Sequence, residues 1–130
     1  MTFGIIGSGA FGTALSISLS STNKKLILWT RNQDVVNSVQ EIRENRLRLP
    51  GYILPQNIIV TNDINQMENC SIILIAVPMQ QLRSVVELHR SRLEGKILVA
   101  CCKGFEVSTG LGPTSILSLI HISEPTRQIV

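Results

Sequence analysis

The hexapeptide Gly7-Ser8-Gly9-Ala10-Phe11-Gly12 constrains this chain more than any other stretch. It follows an apolar run over residues 3–6 and opens a second one over residues 10–20. In the second run Ala10, Ala14, Leu15, Ser18 and Leu19 recur at helical spacing on one side, which predicts a helix. A strand, a glycine turn and a helix in that order form a dinucleotide-binding fingerprint. Gly7 permits the tight turn, Gly9 lets phosphate oxygens approach the backbone, and Gly12 lets the helix lie close on the strand. The N–H groups at the start of the helix, aided by its dipole, then face an anion. The turn therefore predicts a seat for the pyrophosphate of NAD(P), with residues 7–12 as cofactor contacts. A strand-to-helix turn without a ligand is the plainer alternative.

Strand and helix patterns alternate along the rest of the chain. Residues 26–29 and 58–61 read as short strands. Asp34 is placed to cap a helix reaching to about residue 45, with Val35, Val36, Val39 and Ile42 as its stripe. A loop punctuated by Pro50, Gly51 and Pro55 follows, and residues 62–68 suggest a turn and a brief helix. Residues 71–77 give the strongest strand, an unbroken run from Ile72 to Val77 that suits a sheet centre covered on both faces. Residues 79–92 predict a helix with Leu82, Val85, Val86 and Leu88 inward, and residues 96–101 a fifth strand. This order predicts an α/β fold, a Rossmann-type doubly wound, mostly parallel sheet with helices on both faces.

Composition narrows the function classes. Aromatics are only 4% of the 130 residues, too few for a stacking platform on single-stranded nucleic acid. The net charge is +3, but the basic residues are scattered: Lys24, Lys25, Arg31, Arg43, Arg46, Arg48, Arg83, Arg90 and Arg92. Scattered cations predict a solvated surface rather than a nucleic-acid patch. Cys70, Cys101 and Cys102 have neither disulfide nor zinc spacing, and they read as small hydrophobes of a reducing compartment. No apolar run is long enough to span a membrane, and no secretory signal precedes the first strand. The cytoplasm is the expected location, and no metal site is expected. His89 and His121 show no partner spacing and are expected at the surface.

Three further positions point into the cleft that such a sheet forms at its carboxyl edge. The end of the second strand, Leu28-Trp29-Thr30-Arg31-Asn32, lacks the acid that would bond a ribose 2′-hydroxyl. Arg31 stands where a 2′-phosphate would lie, which favours NADP(H) over NAD(H). Trp29 is expected to be a packing residue. Pro78, with Met79 and Gln80, ends the fourth strand and is expected to line the nicotinamide half. Lys103 ends the fifth strand, where its ammonium could hold a phosphate or a carbonyl oxygen.

Several pieces together make a more specific pattern. They are the glycine turn continued by Thr13-Ala14-Leu15, then Leu28-Trp29-Thr30-Arg31 and Asn45-Arg46-Leu47-Arg48-Leu49-Pro50-Gly51. Ala76-Val77-Pro78 and Cys101-Cys102-Lys103-Gly104-Phe105-Glu106 complete the set. In order and spacing the chain resembles the N-terminal part of bacterial glycerol-3-phosphate dehydrogenase (NAD(P)+) over about residues 3–116. The resemblance implies reversible reduction of dihydroxyacetone phosphate to sn-glycerol 3-phosphate, a phospholipid precursor. It implies cofactor contacts at Ala10, Phe11, Arg31, Arg48 and Lys103, with Lys103 also touching substrate. Arg48 stands where the family often has an aromatic, and Met79 where serine is common. The family is often homodimeric and needs neither nucleic acid nor a membrane span.

Family members are more than twice this long, and their proton-donating lysine lies in a helical domain beyond this sequence. No catalytic residue is therefore expected here, and the chain alone is expected to turn over little or not at all. Residues 1–116 are expected to form an incomplete cofactor domain. Residues 117–130 are expected to be a non-native or disordered tail, since residues 118–127 are similar to translated sequencing-adapter read-through. Two alternatives satisfy the glycine turn. One is another Rossmann reductase of the ketopantoate reductase or hydroxyacid dehydrogenase type. The other is a non-catalytic nucleotide-sensing module. The Cys-Cys-Lys-Gly segment and the Leu-Pro-Gly loop favour the dehydrogenase.

Overall fold

A computed structural model describes residues 2–22, 25–120 and 128–129. His121 lies outside the described residues, as do residues 121–127 of the expected tail.

The strands are β1 (Phe3–Ile6), β2 (Leu26–Trp29), β3 (Ile58–Thr61), β4 (Ile72–Ile75), β5 (Ile97–Ala100) and β6 (Gln128–Ile129). The helices are α1 (Ala10–Ser20), α2 (Gln33–Ile42), α3 (Leu82–Leu88), α4 (Arg90–Leu93) and α5 (Pro113–Ile120). Short 3₁₀ turns cover Ile64–Met67 and Met79–Gln81. All strand pairs are parallel, in the order β3-β2-β1-β4-β5-β6. The chain winds outward from β1 to β3, then returns to the other side of β1 with β4. The strand order therefore reverses between β1 and β4.

Successive side chains along a strand point to opposite faces, so each strand feeds two cores. Ile5, Leu26, Leu28 and Leu74 join Val35, Val36 and Val39 of α2 on one face. Ile6, Ile27, Ile73 and Ile75 join Leu82, Val85 and Val86 of α3 and Ile116, Leu117 and Ile120 of α5 on the other. Each large aliphatic buried this way contributes about 1.5–3 kcal/mol. The doubly wound α/β architecture follows from these alternating residues.

Several local expectations are corrected. The buried face of α1 is Gly12, Thr13, Ser16 and Ser20, while Ala10, Ala14 and Ser18 are exposed. Small residues let this helix lie close on the sheet. Their hydroxyls are satisfied locally, Ser16 Oγ donating to the Thr13 carbonyl at 2.7 Å and Ser20 Oγ to the Ile17 carbonyl at 2.6 Å. The cap of α2 is Asn32, whose side chain accepts from the Asp34 N–H, and the helix stops at Ile42. Arg43 then takes a left-handed conformation, φ +55°. It was expected among solvated cations, yet its guanidinium donates to the carbonyls of Leu54, Pro55 and Ile58 and knits the following loop.

The ladder of β4 covers only Ile72–Ile75, although the Ala76 N–H still donates to the Ile6 carbonyl at 2.8 Å before Pro78 ends the run. The single helix expected over residues 79–92 is a 3₁₀ turn followed by α3 and α4 with a break at His89. Leu88 faces solvent at 78% exposure instead of packing inward. The helix α5 crosses the boundary drawn at residue 116: Leu117 and Ile120 are buried against α3, and β6 pairs with β5. These two side chains complete an apolar layer that the sheet face requires. Residues 117–120 continue α5, and residues 128–129 add a strand beside β5.

Candidate functional site

The site forms where β1, β2, β4 and β5 end on one edge of the sheet, beside the reversal of strand order. Such a switch point is where open α/β sheets take ligands. A cleft of about 650 Å³ opens there. All ten sequence-predicted contacts line it: Gly7, Ser8, Gly9, Ala10, Phe11, Gly12, Arg31, Arg48, Pro78 and Lys103.

The three glycines divide the work. Gly7 has φ +115°, and a Cβ there would lie 2.5 Å from the Ala76 carbonyl oxygen. A Cβ on Gly12 would lie 2.1 Å from the Gly7 carbonyl oxygen, so the helix meets the strand end only without a side chain. Around Gly9 nothing lies within 4 Å of the missing Cβ, so this position opens onto free space. The first rung of the helical ladder runs from the Thr13 N–H to the Gly9 carbonyl at 3.0 Å. The amides of Ala10, Phe11 and Gly12 precede that rung and remain available to an anion. An anionic pyrophosphate fits an open glycine and a positive helix end.

Polar side chains hold the turn from both sides. Ser8 Oγ donates to Thr30 Oγ1 at 2.6 Å, and Thr30 Oγ1 also accepts from the Asn32 N–H at 3.0 Å. Asn45, fully buried, donates through Nδ2 to the Ser8 carbonyl and to Thr13 Oγ1, both at 2.9 Å. Neither Thr30 nor Asn45 was singled out from sequence as a support of the turn. A buried amide after a helix end carries no local pattern that would reveal it.

Arg31 lies exposed at the cleft mouth and donates through Nη2 to Gln81 Oε1 at 3.1 Å. Gln81 lines the cleft, whereas Gln80, expected there, does not. The Gln80 side chain donates to the Phe105 carbonyl and accepts from the Val107 N–H, both at 2.9 Å. The 3₁₀ turn rotates consecutive residues apart, which separates the two glutamines. Pro78 and buried Met79 line the cleft as expected.

The segment after β5 carries Cys101, Cys102 and Lys103 along the same wall. Burial pushes both thiols up from their ordinary range. The loop beyond them is pinned by Arg83, whose Nε and Nη2 donate to Glu106 Oε2 and Oε1, each at 3.0 Å. Thr109 Oγ1 donates to Glu106 as well. These bonds, Arg83 first, hold the Glu106 carboxyl below the usual carboxylate range.

Trp29 is a packing residue that forms part of the cleft wall. His89, expected at the surface, is half-buried with its ring edge-on to Trp29 at 4.8 Å. The break between α3 and α4 turns the imidazole inward. Desolvation lowers its pKa, and among the described residues Trp29 Nε1 and His89 Nε2 are buried without hydrogen-bond partners. Among the described residues no cluster of three or more metal-ligating side chains occurs.

Residues 2–129 match the family model for the N-terminus of NAD-dependent glycerol-3-phosphate dehydrogenase. The chain belongs to this family. A glycerol-3-phosphate dehydrogenase (NAD(P)+) of Ruegeria sp. (strain TM1040) is 46% identical over 117 residues, which is 90% of this chain and 36% of that protein. The enzyme of the same name from Neisseria meningitidis serogroup C is 39% identical over 85% of this chain and 34% of its own length. The chain thus spans about a third of the glycerol-3-phosphate dehydrogenases it matches. The crystal structure of the glycerol-3-phosphate dehydrogenase from Coxiella burnetii superimposes with a TM-score of 0.84 at 23% identity, covering 98% of this chain and 39% of that one. The Plasmodium falciparum glycerol-3-phosphate dehydrogenase gives 0.79 at 23% identity, covering 92% and 38%. At these identities the structures speak for the fold.

Proposed function

We propose that this chain is the cofactor-holding part of a glycerol-3-phosphate dehydrogenase that interconverts dihydroxyacetone phosphate and sn-glycerol 3-phosphate, feeding phospholipid synthesis. The observation that carries the proposal is the convergence of residues 7–12, Arg31, Arg48, Pro78 and Lys103 on one cleft at the switch point. Bound NAD(P)H would supply the hydride. The amides of Ala10, Phe11 and Gly12 hold the diphosphate, with Gly7, Ser8 and Gly9 shaping the approach. Arg31 replaces the acid that would favour NAD, so NADP(H) is the preferred form. Arg48 adds a second cation at the rim. Lys103 faces the phosphate-bearing substrate as well as the cofactor.

Hydride addition to a ketone needs a proton donor at the carbonyl oxygen. In this reading no residue of the present chain supplies it, and residues 1–116 act as the cofactor domain. The free thiols favour a reducing, cytoplasmic location. No helix among the described residues is long and apolar enough to cross a membrane. Arg43 and Arg83 are engaged in holding loops, which weakens any nucleic-acid footprint. Pairing with a second copy is an expectation from the family.

A spectrophotometric assay tests this reading. The chain is expected to bind NADPH yet leave its absorbance unchanged when dihydroxyacetone phosphate is added. Sustained oxidation of NADPH by these residues alone would contradict it.

A further inference from the structure

We propose that Asn45 is a positioning residue for the dinucleotide site, fixing the glycine turn and the Arg48 loop in one register. The inference rests on the proposed function and deepens it.

Asn45 is completely buried, yet all its side-chain bonds go to segments that line the cleft. Its Nδ2 donates to the Ser8 carbonyl and to Thr13 Oγ1 at 2.9 Å each. Thr13 Oγ1 in turn donates to the same Ser8 carbonyl at 3.2 Å. On its other side, Asn45 Oδ1 accepts from the Arg48 N–H at 3.2 Å, and the Asn45 carbonyl accepts from the Leu49 N–H at 2.9 Å.

The Ser8 carbonyl is the one to engage. It precedes the first rung of α1, which starts at the Gly9 carbonyl. A free carbonyl oxygen beside a diphosphate would repel it. Two donors from inside the protein turn that oxygen's lone pairs away from the cleft. The helix-start amides then present only donors to the anion. The same amide tethers the backbone of Arg48, which also lines the cleft. An aspartate at this position would keep the acceptor for the Arg48 N–H but set an oxygen against the Ser8 carbonyl. An alanine would lose every side-chain bond and leave the Arg48 loop only its main-chain bonds to the residue 45 carbonyl.

The test compares two ligands by titration calorimetry on the 130-residue chain. NADPH has the diphosphate that spans the turn. Adenosine 2′-monophosphate has the 2′-phosphate that Arg31 would hold, but no phosphate for the turn. Asn45→Ala is expected to weaken NADPH about tenfold, the scale of one or two lost hydrogen bonds. It is expected to leave adenosine 2′-monophosphate within about twofold, since Arg31 is held separately by Gln81. Asn45→Asp is expected to weaken NADPH at least as much as alanine does. Thr13→Val, which keeps shape but removes one of the two donors to the Ser8 carbonyl and an acceptor for Asn45, is expected to give a smaller loss of the same selectivity. It serves if Asn45→Ala loses its far-ultraviolet dichroism. Equal weakening of both ligands would mean general loosening and would overturn the inference. So would unchanged NADPH affinity in the variants. Failure of the unsubstituted chain to bind NADPH would remove the proposed function itself, and this inference with it.

Discussion

The Gly7 carbonyl oxygen occupies the space where a side chain on Gly12 would begin, 2.1 Å from the position of its Cβ. That closeness is how α1 docks on β1. Gly12→Ala must push the helix off the strand, with an expected cost of about 1–3 kcal/mol, the range for overpacking. Urea unfolding followed by Trp29 fluorescence measures it. A neutral result would mean that the helix is not seated as described.

Gly9 behaves oppositely. A methyl group there meets nothing within 4 Å, and its φ of −66° suits any residue. Gly9→Ala is therefore expected to fold with unchanged stability and to lose NADPH affinity by at least about tenfold. Normal affinity in this variant would place the diphosphate elsewhere.

Arg31 is expected to set coenzyme preference. Charge-assisted bonds to a phosphate contribute about 1.5–3 kcal/mol, so Arg31→Ala should weaken NADPH roughly 10- to 100-fold. NADH should change by no more than about twofold. Parallel calorimetric titrations with the two coenzymes check this. Equal losses would remove the 2′-phosphate role.

Two titrations follow from burial and pairing. The Glu106 carboxyl is held low, chiefly by Arg83. A depressed carboxylate contributes stability that is complete above its unfolded value, about 4.3, and lost as the pH falls through the lower folded value. Glu106→Gln should lower the melting temperature at neutral pH and flatten that acid loss. An unchanged acid limb would mean that the pair does not hold the loop.

His89 also titrates low, because burial disfavours the imidazolium. The unfolded chain protonates first, near pH 6.5, so stability declines as the pH falls from there through the lower folded value. His89→Phe keeps an aromatic edge against Trp29 and removes an unpartnered nitrogen. It is expected to gain about 1 kcal/mol at neutral pH and to lose this dependence. Urea midpoints between pH 5 and 7 measure both effects, and a pH dependence unchanged from the original would contradict them.

The sheet was legible because its signals are local and repeated. The unbroken run from Ile72 to Val77 marked a central strand, and Pro78 at its end marked the cleft beside the first strand. What escaped depends on contacts between distant segments. Asn45 is 37 residues from Ser8, and Arg83 is 23 from Glu106. Neither bond leaves a spacing that periodicity detects. The small polar face of α1 escaped for another reason: close packing selects size over hydropathy, so of the expected stripe only Leu15 and Leu19 pack against the core.

The central claim concerns backbone amides, and amide NMR reads them individually. Titrating the nitrogen-labelled chain with NADPH should give saturable, one-to-one shifts, largest at residues 9–12 and at Arg31. Signals from those amides that stay fixed while the sheet resonances show an intact fold would contradict the account.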